Sequence, residues 1–457
     1  MITFSETGWY GVISEDVGFE TISIVAQAAA DYLMDHGNTG PVVLGYDTRF
    51  LSREYAWCIQ RVLTANRIQV FLHKKPIPTS FLSMSVSAYQ AVLGIMVTGE
   101  GRPARYSGLT FRLPSGCPVS KEWMDSLFQH LYRRYPRSSE DSRHLLHYID
   151  FFPEYTAGLM ENLQIECIQK AKPYLASDSF FGSVGTYLQE LVRTLGINGI
   201  HIRTKPNPGF MDCVPQPNER NMSSLSKLVV QKKGDIGLFF NGDGSAIGAV
   251  SSQGQIIRNE WAMAAVLDEW LQSRGKEFDI YTEIYTPELI HPLLACHDLE
   301  AFPLHQLKEE NRQLDRAVIW DRYGLRFGCF LPDWDAVFQG MLLVQAVCRY
   351  DLNWQRFLDQ MNGYTQGRIH EQKVISMDVR CWEEKQKKLL EKLEEIYPKG
   401  LNQVIEEGQD TKLVFQDSSW LGFHYNERES SLFLYHDAES GQKAEKMLTE
   451  LIGWFTE

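Results

Sequence analysis

Residues 98–105 read Thr-Gly-Glu-Gly-Arg-Pro-Ala-Arg and place the carboxylate of Glu100 close in sequence to two guanidinium groups, Arg102 and Arg105. A carboxylate can act as a nucleophile and form an acyl phosphate, chemistry that works best with Mg²⁺ beside it. It can also act as a fixed negative charge that holds neighbouring cations in place, or sit as a solvated loop residue. Arg102 and Arg105 could receive an anion such as a phosphosugar, a nucleotide or a phosphorylated partner. As exposed arginines they would instead balance Glu100 and an acidic surface. A second oxygen-rich loop, Asn241-Gly242-Asp243-Gly244-Ser245-Ala246, offers a carboxylate, an amide carbonyl and a hydroxyl. Hard cations such as Mg²⁺ take oxygen ligands of this kind. An aspartate between glycines equally suits a turn. The twelve histidines form no H-x-x-x-H cluster, so they read as structural or surface residues.

The elements that must carry these loops follow from hydrophobic pattern. Short apolar runs at 41–46, 68–72 and 92–97 read as buried strands, and 52–65 carries apolar residues at helical spacing without an interior Gly or Pro. Strand–helix–strand alternation of this kind predicts a β/α layer with a mixed or parallel sheet. The pattern recurs with strands at 173–177, 200–203 and 235–240 and helices at 184–194 and 223–231. A third round runs from a helix at 261–272 through a strand at 317–320 to a helix at 336–347. After that the pattern changes. A charged helix from Trp382 stops before Pro398 and Gly400, strands follow at 412–415 and 432–435, and an amphipathic helix covers 442–455. The fold class expected is α/β, with three related mixed α/β domains followed by a C-terminal α+β domain. The polar stretch 134–143 is the candidate first linker. Domain limits are placed at 1–140, 141–259, 260–365 and 366–457.

Composition narrows the partners. The chain of 457 residues carries a net charge of −13, which disfavours nucleic acid, a polyanion that selects basic faces. No apolar run approaches the roughly 18 residues of a membrane span. Eight cysteines are scattered without a CxxC pair. With an N-terminus that lacks the basic and apolar regions of a secretory signal, they read as reduced thiols of a cytoplasmic protein.

Several segments, taken in order, resemble those of the phosphohexomutases, the phosphoglucomutase/phosphomannomutase family. Residues 94–109, with Gly-Ile-Met-Val leading into Thr98, Pro103, Tyr106 and Gly108, are similar to the family's G-I-M-I, T-A-S-H-N-P and P-x-Y-N-G-I-K. Phe4-Ser-Glu-Thr-Gly8-Trp-Tyr-Gly11 resembles F-G-T-S-G-x-R-G, and Gly45-Tyr-Asp47-Thr-Arg49-Phe-Leu-Ser52 resembles G-x-D-T-R-x-S-S. Pro78-Thr79 echoes P-T-P, and Pro215-Gln-Pro217 with Asn221 and Leu225 echoes a second-domain segment. The resemblance implies four domains around one cleft and phosphoryl transfer between hexose phosphate positions with Mg²⁺.

At the chemical positions the sequence departs from that pattern. Glu100 stands where the family's phosphoryl-carrying serine should be. The metal loop D-G-D-G-D-R falls on Asn241, Asp243 and Ser245 and ends in Ala246, which leaves one carboxylate. The sugar loop G-E-x-S-G-H falls on Trp320-Asp321-Arg322-Tyr323-Gly324-Leu325, where an acid and a glycine persist. The phosphate loop R-P-S-G-T-E-P falls on residues 424–430, where Glu427 replaces the glycine and Arg428 follows. Tyr10 and Thr110 each replace a basic residue. The resemblance therefore leaves Arg102, Arg105, Asp321, Gly324 and Arg428 as ligand-binding candidates, and Asp243 with Asn241 and Ser245 as the remaining metal candidates. It implies a chain without tightly bound Mg²⁺ that has lost mutase activity and acts as a cytosolic binding or regulatory protein, with a sugar phosphate or a protein as partner. An active phosphohexomutase or phosphotransferase with altered catalytic groups, and a structural subunit of a complex, remain the alternatives.

Overall fold

The structure is a computed structural model. It describes residues 8–137, 142–275, 277–307, 314–396, 400–407, 410–426, 431–439 and 441–456. The chain divides into two compact units. The first holds the residues up to Ser273 with Leu314–Arg316 and Tyr323–Trp354, and the second holds Arg274–Gln313, Ala317–Arg322 and Gln355–Glu457.

The first unit contains two sheets. One runs in the order Gly8–Val12, Tyr106–Arg112, Leu93–Val97, Val42–Tyr46, Val70–His73, Leu146–Ile149. Its last four strands are parallel and its first two are antiparallel additions. Leu93–Val97 and Val42–Tyr46 are buried along their whole length, which is why they read as continuous apolar runs rather than alternating ones. The helices Phe19–Asp35 and Ser52–Ala65 close over this sheet through Ile22, Val25, Ala29, Ile59 and Leu63. The sheet runs past position 140, because Leu146–Ile149 pairs in parallel with Val70–His73. This strand alternates too weakly to stand out in sequence, since Leu146, His147 and Tyr148 are at least partly exposed.

The second sheet has the order Ile256–Ile257, Ile247–Ser251, Ile236–Phe240, Tyr174–Asp178, Asn198–Ile202. Loop 241–246 is therefore a hairpin turn between antiparallel strands, and Gly244 supplies the positive φ of 76° it requires. The helix Ala336–Arg349, buried on nearly all sides, crosses Leu238, Phe240 and Ile247 at Gly340. This contact draws the helix into the first unit, whereas the strand Ala317–Asp321 that precedes it lies in the second. The predicted third round is thus divided between the two units. The helix predicted at 184–194 is split into a 3-10 turn, Ser183–Thr186, and the helix Leu188–Thr194.

In the second unit Ala301–Pro303, Asp279–Thr282 and Ala317–Asp321 pair in parallel. A five-stranded antiparallel sheet follows in the order Ile369–Ser376, Ser431–Ala438, Trp420–Asn426, Asp410–Phe415, Leu401–Glu407. Leu413, Leu421, Phe423, Leu432 and Leu434 form a core with Trp382, Leu448, Leu451 and Phe455 of the helices Val379–Ile396 and Gly441–Thr456. Trp420 and Tyr435 meet Tyr285 in a separate aromatic cluster. The strands predicted at 412–415 and 432–435 are present in the five-stranded sheet, and three strands unread in sequence, Ile369–Ser376, Leu401–Glu407 and Trp420–Asn426, join them.

Candidate functional site

The Glu100 loop is built around a buried arginine. Arg49 follows Asp47 at the end of the strand Val42–Tyr46, and its guanidinium donates to four backbone carbonyls of the loop. Nη1 reaches Pro103 at 2.7 Å and Tyr106 at 3.0 Å, and Nη2 reaches Glu100 at 2.6 Å and Arg102 at 2.7 Å. Its Nε lies 3.2 Å from the carboxylate of Asp47. Asp47 in turn accepts from Ser52 at 2.6 Å and Thr98 at 2.8 Å. The hydroxyl of Thr98 then accepts the backbone N–H of Glu100 at 2.9 Å. The G-x-D-T-R-x-S-S-like segment is therefore a clamp that fixes the loop's backbone. Within it Glu100 takes a left-handed conformation with φ 49°, a strain of about 1 kcal/mol for a residue with a side chain that the clamp holds in place.

Both carboxylate oxygens of Glu100 have donors. Oε1 accepts a short hydrogen bond from the hydroxyl of Tyr10, and Oε2 accepts from Arg102 at 3.0 Å. The Arg102 guanidinium also lies over the Tyr10 ring, 3.9 Å from its centroid, a cation–π contact. Tyr10 reaches the loop because Gly8–Val12 pairs with Tyr106–Arg112, opposing Tyr10 to Gly108. Burial and the neighbouring Glu100 carboxylate hold the Tyr10 phenol well above its usual pKa, so it stays a donor. Two positions at which the family pattern is broken thus satisfy one another. Tyr10→Phe keeps the ring under Arg102 but strips Oε1 of its donor. It is expected to lower unfolding free energy by about 1–2 kcal/mol in denaturant titration.

Arg105 is exposed, with its guanidinium 5.5 Å from the Tyr106 ring centroid. Thr110 accepts from Arg112 at 2.9 Å, and Arg112 is buried in an ion pair with Asp333 at 2.7 Å. Against the Glu100 loop stands Gln216 of the Pro215-Gln-Pro217 segment, packed so closely that a Cβ on Gly101 would collide with its amide.

The Asn241–Ala246 loop joins this region through Thr79, whose N–H donates to the Asp243 carbonyl at 3.0 Å and whose hydroxyl donates to the Asp243 carboxylate at 3.2 Å. The other Asp243 oxygen accepts from Ser245 at 2.8 Å. Asn241 donates to the Ser245 hydroxyl at 3.1 Å, while its carbonyl oxygen accepts the N–H of Ala246 at 3.0 Å. The three candidate metal residues are thus bonded to one another and to Thr79. Burial, then the nearby charges of Glu100 and Asp47, raise the Asp243 pKa. Among the described residues no group of three or more His, Cys, Asp or Glu side chains is placed to hold a metal ion. Asp243 is the one carboxylate of this loop, and both of its oxygens already accept hydrogen bonds from the protein.

The remaining candidates lie elsewhere in the chain. Asp321 ends the strand Ala317–Asp321 and is buried in the second unit, while Gly324, with φ 138°, opens Gly324–Phe327 in the first. Arg428 and Glu427 lie outside the described residues, as do positions 4–7 of the N-terminal motif. Sequence reasoning passed over Arg322, which sits between these two candidates. Its Nε donates to Glu283 at 2.6 Å and its Nη2 to Asp410 at 2.9 Å. No local sequence signal marks that group, because its members are scattered from 283 to 410.

Residues 1–136 match the family model for phosphoglucomutase/phosphomannomutase α/β/α domain I, and residues 153–254 match that for domain II. The chain is 22% identical over 456 residues to a phosphoglucomutase/phosphomannomutase of Thermococcus kodakarensis, covering 97% of this chain and 96% of that protein. Its fold superposes on the exocytosis-sensitive phosphoprotein pp63/parafusin, a phosphoglucomutase from Paramecium, with a TM-score of 0.82 at 13% identity, covering 100% and 97% of the two chains. The N-acetylphosphoglucosamine mutase of Aspergillus fumigatus, solved with GlcNAc-6P and magnesium, superposes with a TM-score of 0.56 at 11% identity over 99% of this chain and 95% of that one.

Proposed function

This chain belongs to the phosphoglucomutase/phosphomannomutase family, and we propose that it keeps the family's fold without phosphoryl transfer, acting as a cytoplasmic binding or regulatory protein for sugar phosphates. The observation that carries this reading is the state of Glu100. It has no hydroxyl to carry a phosphate ester, and Tyr10 and Arg102 occupy both of its oxygens. A carboxylate held this way serves as a fixed negative charge at the family's phosphoserine position. It supplies about one unit of charge where a phosphate supplies roughly 1.5 to 2. A nucleophilic Glu100 would need a free oxygen and a cation beside it. The only cation bonded to it among the described contacts is Arg102, and the Asn241–Ala246 loop spends its side-chain oxygens on its own groups and on Thr79. Mg²⁺ is accordingly no part of the proposed activity.

A sugar phosphate is the ligand class favoured because the A. fumigatus mutase of the same fold was solved with GlcNAc-6P. A cytoplasmic setting agrees with eight cysteines scattered without a CxxC pair. Among the described residues no helix is long and apolar enough to cross a membrane.

Purified protein supplied with Mg²⁺, a hexose 1-phosphate and a hexose 1,6-bisphosphate is expected to show no interconversion above background. Turnover at enzyme-like rates that disappears in Glu100→Ala would overturn the proposal. A thermal-shift panel of hexose and hexosamine phosphates then separates binding from a purely structural role, since a ligand held only by the native state must raise the melting temperature.

A further inference from the structure

The Arg322 corner of the second unit has the composition of an anion site, and its anion is already in place. Asp410 and His424 are directly opposed where Asp410–Phe415 pairs with Trp420–Asn426, so their side chains share one face of the sheet. One carboxylate oxygen of Asp410 lies 2.5 Å from His424 Nδ1 and 3.3 Å from the hydroxyl oxygen of Tyr285. The other accepts from Arg322 Nη2 at 2.9 Å. Two nitrogen donors from separate segments thus converge on a single carboxylate, with the Tyr285 hydroxyl beside it.

Two further observations mark the corner as more than a surface ion pair. The Arg322 side chain is only 9% exposed and leans on the Tyr285 ring, 5.4 Å from its centroid. Its Nη1 is buried with no hydrogen-bond partner, a donor left over after Glu283 and Asp410 have taken the rest. Tyr285 itself is locked, stacked on Tyr435 at 4.2 Å and donating to the Phe423 carbonyl at 2.6 Å. An unsatisfied buried guanidinium N–H is costly, and it is what remains when a carboxylate with two oxygens sits where a phosphate with three would bond more donors. Burial alone would raise the Asp410 pKa, but the His424 hydrogen bond and the Arg322 charge outweigh it and hold the carboxylate ionised.

We propose that Asp410 is a built-in anion that fills a corner formed by Arg322, His424 and Tyr285, and so closes this part of the second unit to phosphate monoesters. The corner involves none of the Glu100 residues, and it stands or falls separately from the reading of the first unit.

The test is Asp410→Ala, which removes the charge and opens the space that the carboxylate fills. Inorganic phosphate, compared with chloride at equal ionic strength, is expected to leave the wild-type melting temperature unchanged and to raise that of D410A. A rise of about 1–2 °C is expected at tenfold excess over the dissociation constant. Adding His424→Gln to D410A should abolish the rise. A folded D410A that ignores phosphate, or a wild type that responds as strongly as the variant, would overturn the proposal. An independent readout uses the unaltered chain. The ¹⁵N shifts of the His424 ring should not move on adding phosphate, and phosphate-dependent movement would also overturn it.

Discussion

Arg49→Ala is expected to cost about 3–5 kcal/mol of unfolding free energy, the range for removing one partner of a buried charge pair. The substitution does three things at once. It leaves Asp47, almost fully buried, without its counter-ion. It strips the carbonyls of Glu100, Arg102, Pro103 and Tyr106 of a shared donor. It also opens a gap beneath the Phe210 ring, over which the guanidinium lies at 5.2 Å. Arg49→Lys keeps the charge but cannot span four carbonyls, because an ammonium lacks the planar fork. It should therefore recover only part of the loss. The midpoint of chemical denaturation reads both. Wild-type stability in Arg49→Ala would mean that the loop 99–106 is held by something other than the clamp. The expectation bears on function because the clamp holds Glu100 in its left-handed conformation, so Arg49→Ala should also release Glu100 from Tyr10.

This clamp shows what could be read from the amino-acid order and what could not. The segment containing Asp47 and Arg49 is visible as a motif, and the strand before it as an apolar run, because both are local. The same holds for the strands Leu93–Val97 and Ile236–Phe240 and the helix Ser52–Ala65, all found close to their predicted places. The replacements at Glu100, Tyr10 and Thr110 were also legible one at a time. Their mutual satisfaction was not, since Tyr10 meets Glu100 only through the register of two antiparallel strands. The strand Trp420–Asn426 escaped notice because both its faces are buried, one under helices and one against Tyr285, so period-two alternation is lost. Arg322 escaped for a related reason, as its partners Glu283 and Asp410 come from distant segments and neither lies in a recognisable pattern. In both units the unread part is the same kind of object, a carboxylate whose hydrogen-bond donor comes from a remote segment of the chain.

Stability of the first unit should carry a pH dependence traceable to one aspartate. Asp335 caps the helix Ala336–Arg349, accepting from the N–H groups of Val337 at 3.0 Å and Phe338 at 3.2 Å. Its other oxygen accepts from the hydroxyl of Tyr155 at 2.7 Å. These bonds favour the carboxylate, but burial outweighs them, and with Asp333 nearby the pKa is raised to about 6. In the unfolded chain an aspartate titrates near 3.9. Between those values the native state binds the proton that the unfolded state has released, so unfolding free energy falls as pH rises. The contribution is complete below about pH 4 and is lost as pH passes through about 6, with a total on the order of 3 kcal/mol. Asparagine is an equally good helix cap and cannot titrate, so Asp335→Asn should remove this slope while keeping the helix. The quantity to measure is the difference in unfolding free energy between wild type and Asp335→Asn from pH 4 to pH 7, which cancels the carboxylates that titrate the other way, such as Asp410 and Asp437. The variant should gain on the wild type steadily across that range. A difference that stays flat would show that Asp335 is ionised in the native state throughout, held by Tyr155 and the helix N–H groups against its burial.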